Sequence, residues 1–336
     1  MPAQHRRTAV ACLPAVLAGV LASAVLLAPA NPARSEEITL KAALFVPPST
    51  TYGIPFKRFV DRVNETGKGV LQIRIVGGPE AVPGDGQAQA VKNGVLDLSA
   101  IPTAYYKSLM VEGDAQVLND LSLADQRKSG LYAALNQLSN QKMNANYLTS
   151  FGIGVHFHFY VTKDMQVTKP EDLKGLRFRG QPNYAAMFRH YGIAGVNIAP
   201  PEVYTALERG TVQGYGWPLW GIEDFGWDKL TKIRIDPGFY NVTVTVLMNK
   251  PKYDSLSAAQ KKVLDDAVAW FEQDDLRYTA QKTKETLASQ EKAGIKVVNF
   301  GPQWSKTAVD LSWEDLTKLS PDSIGKLRAV IDKAAK

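Results

Sequence analysis

The 336-residue chain has one cysteine, four histidines and, after residue 30, no uncharged apolar run approaching 18 residues. The cysteine is Cys12, inside the N-terminal apolar stretch. Once that stretch is removed the chain can form no disulfide and offers no thiol nucleophile. Complete G-x-S-x-G, H-E-x-x-H, G-x-x-x-x-G-K-[ST] and G-x-G-x-x-G patterns are also missing, and Gly152-x-Gly154 lacks a third glycine. A composition of 45% hydrophobic and 21% charged residues excludes a disordered chain, a collagen and a coiled-coil rod. What remains is a globular chain of one large or two medium domains.

Its N-terminus has the layout of an export signal. His5-Arg6-Arg7 precedes an uncharged stretch over 8–30, and Ala33-Arg34-Ser35 places small residues at −3 and −1. A signal peptide over 1–35 is expected, cleaved before Glu36, with cleavage after Ala30 as the alternative. An uncleaved anchor is the competing reading, because about 20 apolar residues can span a bilayer. Removing 1–35 takes away Arg6, Arg7 and Arg34 and no acid, lowering the formal charge from +6 to +3. That surplus is small and evenly spread, so no nucleic-acid partner is expected. A core of about 300 residues suffices without disulfides.

Hydrophobic periodicity sets the organisation. Strand patterns at 38–46, 70–76 and 95–101 alternate with helical spacing at Ile54, Phe56, Phe59, Val60 and Val63 and at 86–93. The rhythm resumes with strands at 146–150, 155–162, 176–179 and 196–198, helices at 185–191 and 201–208, and a β-rich run at 241–248. Such βαβ alternation predicts α/β lobes with parallel pairing. Ser257-Ala-Ala-Gln260 is a capping-box pattern, and neither proline nor glycine follows until Gly294. One helix over 258–293, roughly 54 Å long at 1.5 Å per residue, would lie along both lobes. A dimeric coiled coil is the alternative, and the absence of a sustained heptad argues against it.

Several segments, in order, resemble the substrate-binding subunits of tripartite ATP-independent periplasmic (TRAP) transporters. They are LKAALFVPPSTTYGIPFKRFVDRVNETGKGVLQIRIVGG at 40–78, AVKNGVLDLSA at 90–100, KPEDLKGLRFRG at 169–180, PEVYTALERGTVQGYGWP at 201–218 and LSAAQKKVLDDA at 256–267. The resemblance implies a periplasmic binding protein-like α/β fold: two α/β lobes, a central cleft, crossing strands and a long spine helix. Lobe I would hold 36–156 and 245–284, and lobe II 157–244 and 285–336. Hinge closure on an organic-acid anion and delivery to an ion-gradient-driven membrane permease would follow. Presentation of the ligand to a sensor kinase and an exported α/β enzyme are the alternatives. No cofactor is implied, and a monomer is expected.

The resemblance also implies site residues. Arg179, the second basic residue of the LKGL-x-x-R pattern, would pair with the ligand carboxylate, which a planar guanidinium can bind bidentately. Arg177 shares its strand face and is the rival. Two departures matter. Trp217 stands where the family usually has asparagine, and Phe159, with His158 one register away, stands where a second arginine often occurs. These exchanges favour a monoacid with an apolar or aromatic body over a small, densely charged acid. Tyr215 and Asn183 complete the candidates from this lobe, and Tyr105, Tyr106, Trp220, Phe225 and Trp227 could enlarge an aromatic wall. Tyr52 and Thr103 are the candidates from the first lobe, in loops at the ends of parallel strands, with Glu80 as a further possibility. His156 and His158 would lie about 7 Å apart on one strand face. With no carboxylate beside them, no metal is expected there.

Overall fold

A computed structural model describes residues 36–335 except Lys163 and Asp164. The expected signal peptide lies outside the described residues. Among those described, no helix is long and apolar enough to cross a membrane.

The first half alternates β1 (Ile38–Leu44), α1 (Gly53–Thr66), β2 (Leu71–Gly77), α2 (Gly84–Lys92) and β3 (Leu98–Pro102), followed by α3 (Leu123–Ser129), α4 (Leu131–Met143) and β4 (Ala145–Phe151). The second lobe runs through β5 (Phe157–Val161), β6 (Arg177–Gly180), α5 (Ala185–Tyr191), β7 (Ala194–Asn197), α6 (Pro200–Glu208), β8 (Gly214–Pro218) and β9 (Ile233–Asp236). The chain then returns as β10 (Val244–Asn249) and α7 (Lys250–Asp254) and continues into α8 (Ala258–Lys292), β11 (Lys296–Asn299), α9 (Pro302–Leu319) and α10 (Pro321–Ala334).

Local chemistry explains the elements that carry the cleft. In α1, Phe56, Phe59, Val60 and Val63 recur at helical spacing and are buried, and the Gly67 N–H closes the last turn on the Val63 carbonyl. The capping box at α8 forms as the sequence implies: the Gln260 N–H donates to Ser257 Oγ, and the Ser257 N–H donates to Gln260 Oε1. At 35 residues this helix is about 52 Å long. Its first half packs Phe271 against Phe59 and Phe151, with ring centroids 5.5 and 5.7 Å apart. Its second half sends Thr283 and Gln290 to Trp220 and Leu219 of the other lobe. The helix is thus a spine shared by both lobes.

The sheets are mixed, which is where the expectation of parallel pairing falls short. The first has the order β2-β1-β3-β10-β4 and the second β11-β9-β5-β8-β6-β7. β10 inserts antiparallel between β3 and β4, and β5 is antiparallel to both β8 and β9. These strands reach their sheets by crossing between lobes, through 152–156 and 237–243, so no crossover helix dictates their direction. Gly152 and Gly154 hold φ of +79° and +95° in the first crossing. An L side chain is strained there, and glycine is not. The tail assigned to lobe II is shared instead: β11 joins the second sheet and α9 packs on α5, whereas α10 packs on α3 and α4.

Candidate functional site

The carboxyl ends of β1, β2, β3, β6 and β7 meet between the lobes, the usual position for ligand sites in α/β sheets. The loops leaving them wall a cavity of about 870 Å³, at the upper end of the range for small-molecule sites. The first lobe contributes Phe45, Glu80, Asp85, Tyr105 and Lys107; the second contributes Arg179, Gln181, Pro182, Pro200 and Glu202. α2 and α6 direct their first turns at this space, and the positive ends of their dipoles would favour an anion. Each already carries its own acid there, Asp85 and Glu202. Lys107 is likewise committed, pairing with Asp114 at 2.8 Å.

Arg179 differs. Its side chain is 1% exposed, and among the described residues no carboxylate lies within ion-pair distance of it. The Nε–H donates to the Ile198 carbonyl at 3.0 Å and Nη1 to the Gly216 carbonyl at 3.1 Å. A guanidinium has five N–H donors; these two bonds fix its plane, and Nη2 and the second Nη1 proton make no further bond among the described residues, with the Tyr105 hydroxyl standing nearby. Below it lies the Trp217 ring, with its centroid 5.2 Å from the guanidinium carbon, a cation–π arrangement. Arg177, two residues back, is exposed and caps the Gly210 carbonyl. Of the two arginines, the buried one reaches the cavity.

Beneath the large cavity lies a chamber of about 20 Å³, with Phe45 and Gln181 forming part of the wall of both. Tyr52, Phe157, Trp217 and Pro218 close it. Trp217 is fixed by its Nε1–H, which donates to the Trp220 carbonyl at 2.9 Å, and by edge contacts with Phe225 and Trp227. The lobes are tied beside the chamber. Asp224 accepts from the Thr51 N–H at 2.7 Å and from the Thr51 hydroxyl at 3.0 Å, and Gln181 Nε2 donates to the Tyr105 hydroxyl at 3.0 Å. Burial pushes the Asp224 carboxyl above its usual range, against the opposing effect of the Thr51 bonds.

Other candidates stand away from these cavities. Phe159 is fully buried among Phe178, Tyr184, Phe188, Phe239 and Trp304. It anchors the core of the second lobe, and Phe157, on the same strand face one period nearer the cleft, forms the aromatic wall instead. His158 points its Nδ1 at the Ile235 carbonyl and at Asp236, both at 3.0 Å. Tyr215 stacks on Tyr160 with centroids 4.9 Å apart and shares a 2.6 Å hydrogen bond with the Thr231 hydroxyl. Thr103 donates to Asp114 at 2.6 Å and so supports the partner of Lys107 without itself forming the wall. Asn183 is buried beside the wall residue Pro182, outside either cavity's lining, with Oδ1 unbonded among the described residues.

Tyr105 does line the cleft, Trp220 packs behind Tyr52 at 5.7 Å, and Tyr106 is buried with its hydroxyl on Tyr147. His156 and His158 take separate carboxylates, Asp120 and Asp236. Sequence reading passed over Gln181, Lys107 and Phe157. Gln181 was within reach, because it directly follows the strand that ends at Gly180.

With this geometry in view, the comparisons are consistent. The model of DctP, the bacterial extracellular solute-binding proteins of family 7, matches residues 42–318. The chain is 24% identical to the 2,3-diketo-L-gulonate-binding periplasmic protein of Escherichia coli, over 73% of this chain and 76% of that one. A TRAP periplasmic solute-binding protein from Desulfovibrio salexigens, solved with orotic acid, superposes with a TM-score of 0.78 at 16% identity, covering 88% of this chain and 98% of that one. A marine metagenome TRAP protein specific for aromatic acids, from an unidentified microbe, superposes at 0.73 and 20% identity, covering 89% and 100%. The two structures share the two-lobe fold, and their ligands differ from one to the next. The chain belongs to family 7 of the bacterial extracellular solute-binding proteins.

Proposed function

We propose that this protein is an exported, periplasmic receptor that captures an organic monocarboxylate with an apolar or aromatic body and hands it to an ion-gradient-driven TRAP permease. The observation that carries this reading is Arg179, a buried cation that lines the cavity and makes no ion pair among the described residues. Burying an unpaired charge is costly, and a ligand carboxylate would relieve that cost. Each charge-assisted bond is worth roughly 1.5–3 kcal/mol, a sizeable share of the ~8 kcal/mol of micromolar binding.

The wall argues for one negative charge on the ligand. Glu80, Asp85 and Glu202 surround the rest of the cavity, and a second carboxylate would meet like charges, an unfavourable juxtaposition. Phe45, Tyr105 and several prolines offer apolar surface instead. The Thr51–Asp224 and Gln181–Tyr105 bonds would be made as the lobes shut. A thermal-shift screen of aromatic and aliphatic monocarboxylates tests the proposal, since a ligand at 100 times its Kd adds about 2.7 kcal/mol of stability. Stabilisation by monocarboxylates that Arg179→Ala abolishes supports it; stabilisation only by dicarboxylates, or binding indifferent to Arg179, refutes it.

A further inference from the structure

The 20 Å³ chamber is too small for a ring. Its volume is about that of one water-sized group. Its walls are almost wholly apolar, and a lone water there would have at most two polar partners, the low end of what a buried water needs. One polar group stands out. The Tyr52 hydroxyl is buried and has no hydrogen-bond partner among the described residues, although its ring is fixed between Phe45 and Trp220. Burial, reinforced by the neighbouring Tyr160 and Tyr278, pushes its ionisation well up, so it stays a neutral donor. A second group complements it. Gln181 spends its Nε2 on Tyr105, and its side-chain carbonyl accepts no bond among the described residues.

We propose that Tyr52 is a specificity-determining residue: its hydroxyl, with the Gln181 carbonyl, selects carboxylates that carry a hydroxyl group on the end remote from the acid. This rests on the proposed carboxylate binding at Arg179, which lines the large cavity while Gln181 lines both cavities. The ligand body occupies the large cavity, and a single hydroxyl drops into the chamber. There it accepts from Tyr52 and donates to Gln181. An unsubstituted acid leaves the chamber empty and Tyr52 unpaired, which is unfavourable for a buried donor.

Calorimetry with 3-phenylpropionate, 3-(3-hydroxyphenyl)propionate and 3-(4-hydroxyphenyl)propionate tests this. The native protein should bind at least one hydroxylated acid about tenfold or more tightly than the parent, equivalent to about 1.4 kcal/mol. Tyr52→Phe, which keeps the ring, should erase that preference, with its melting temperature reporting that it folds; Gln181→Leu should weaken the preference. Equal binding of all three acids by the native protein, or a preference that survives Tyr52→Phe, overturns the proposal. If none of the three binds, or Arg179→Ala binds them all as the native protein does, the carboxylate reading itself falls and this inference with it.

Discussion

Two arginines buried in the second lobe meet opposite fates. Arg234, on β9, is 6% exposed and forks onto Asp236, Nε to Oδ1 at 2.8 Å and Nη2 to Oδ2 at 3.0 Å, with Nη1 donating to Gln290 of the spine helix. His158 joins the same carboxylate. Burial alone would push Asp236 up, but the bonds and charges of His158 and Arg234 outweigh it and hold the carboxyl well below its usual range. Arg179, at the cleft, has carbonyls and a tryptophan face but no carboxylate among the described residues. A cation with its counter-charge built in belongs to the architecture. One held in place with donors to spare fits the role proposed for it, pairing with a counter-charge that arrives from outside.

Exchanging the consequences of the two arginines is the sharpest way to break that contrast. Arg234→Met should destabilise the protein by about 1–3 kcal/mol, because it takes a charge-assisted fork from the half-buried Asp236 and leaves it His158 alone, with ligand preference unchanged. Arg179→Ala should do the reverse: carboxylate affinity falls about 100-fold or more, as expected from about 3 kcal/mol for a lost charged pair, and the ligand-free melting temperature holds or rises. Chemical denaturation and calorimetry on both variants read this out, and the contrast fails if each shows the other's signature.

A second contrast lies along the spine helix. Asp274 pairs with Arg58 at 2.5 Å. Its neighbour Asp275 accepts only from the Gly152 N–H at 3.0 Å, with Oδ1 unbonded among the described residues. Burial, with Asp274 adding to it, pushes Asp275 up to about 7. The native state therefore keeps a proton that the unfolded chain sheds near pH 4, so stability declines as pH rises from about 4 to about 7. Asp275→Asn removes this effect. Its stability advantage over the native protein should be near zero at pH 4 and grow to the order of a few kcal/mol above pH 7; a difference that stays flat with pH contradicts the account.

Smaller effects are expected at the cleft's edge. Trp217→Asn removes the ring beneath the Arg179 guanidinium and should weaken aromatic and aliphatic monocarboxylates alike by a few-fold, in line with about 0.5–2 kcal/mol for a cation–π contact; unchanged affinity would separate Trp217 from the anion site. Asp224→Ala removes both bonds to Thr51. It should lower apparent affinity a few-fold by depopulating the closed form, with a larger radius in small-angle scattering; an unchanged radius would take the latch out of closure.

The sequence revealed what is local. Helix caps, the spine and the strand carrying Arg179 follow from spacing within a few residues. What it hid depends on partners far along the chain. His158 and Phe159 are read as cleft residues from the place of a second family arginine, and nothing near them in the sequence shows that Asp236, 78 positions on, takes His158, or where along the strand the cleft begins. Phe157 and Phe159 share a face, and only the packing of Phe239 and Trp304 onto the latter separates wall from core. Lys107 and the acids of the cavity wall come together only when the segments after β2, β3 and β7 meet. The direction of β10 depends on a chain that leaves the first lobe and returns.

The central claim is that Arg179 holds a place for a carboxylate. Its most direct test is a calorimetric cycle: the tightest-binding monocarboxylate and its neutral primary amide, each titrated into the native protein and Arg179→Ala. The account predicts that the amide binds the native protein about 100-fold or more weakly than the acid, and that the substitution costs the amide little further. An amide that binds as tightly as the acid, or that loses as much on substitution, would contradict it.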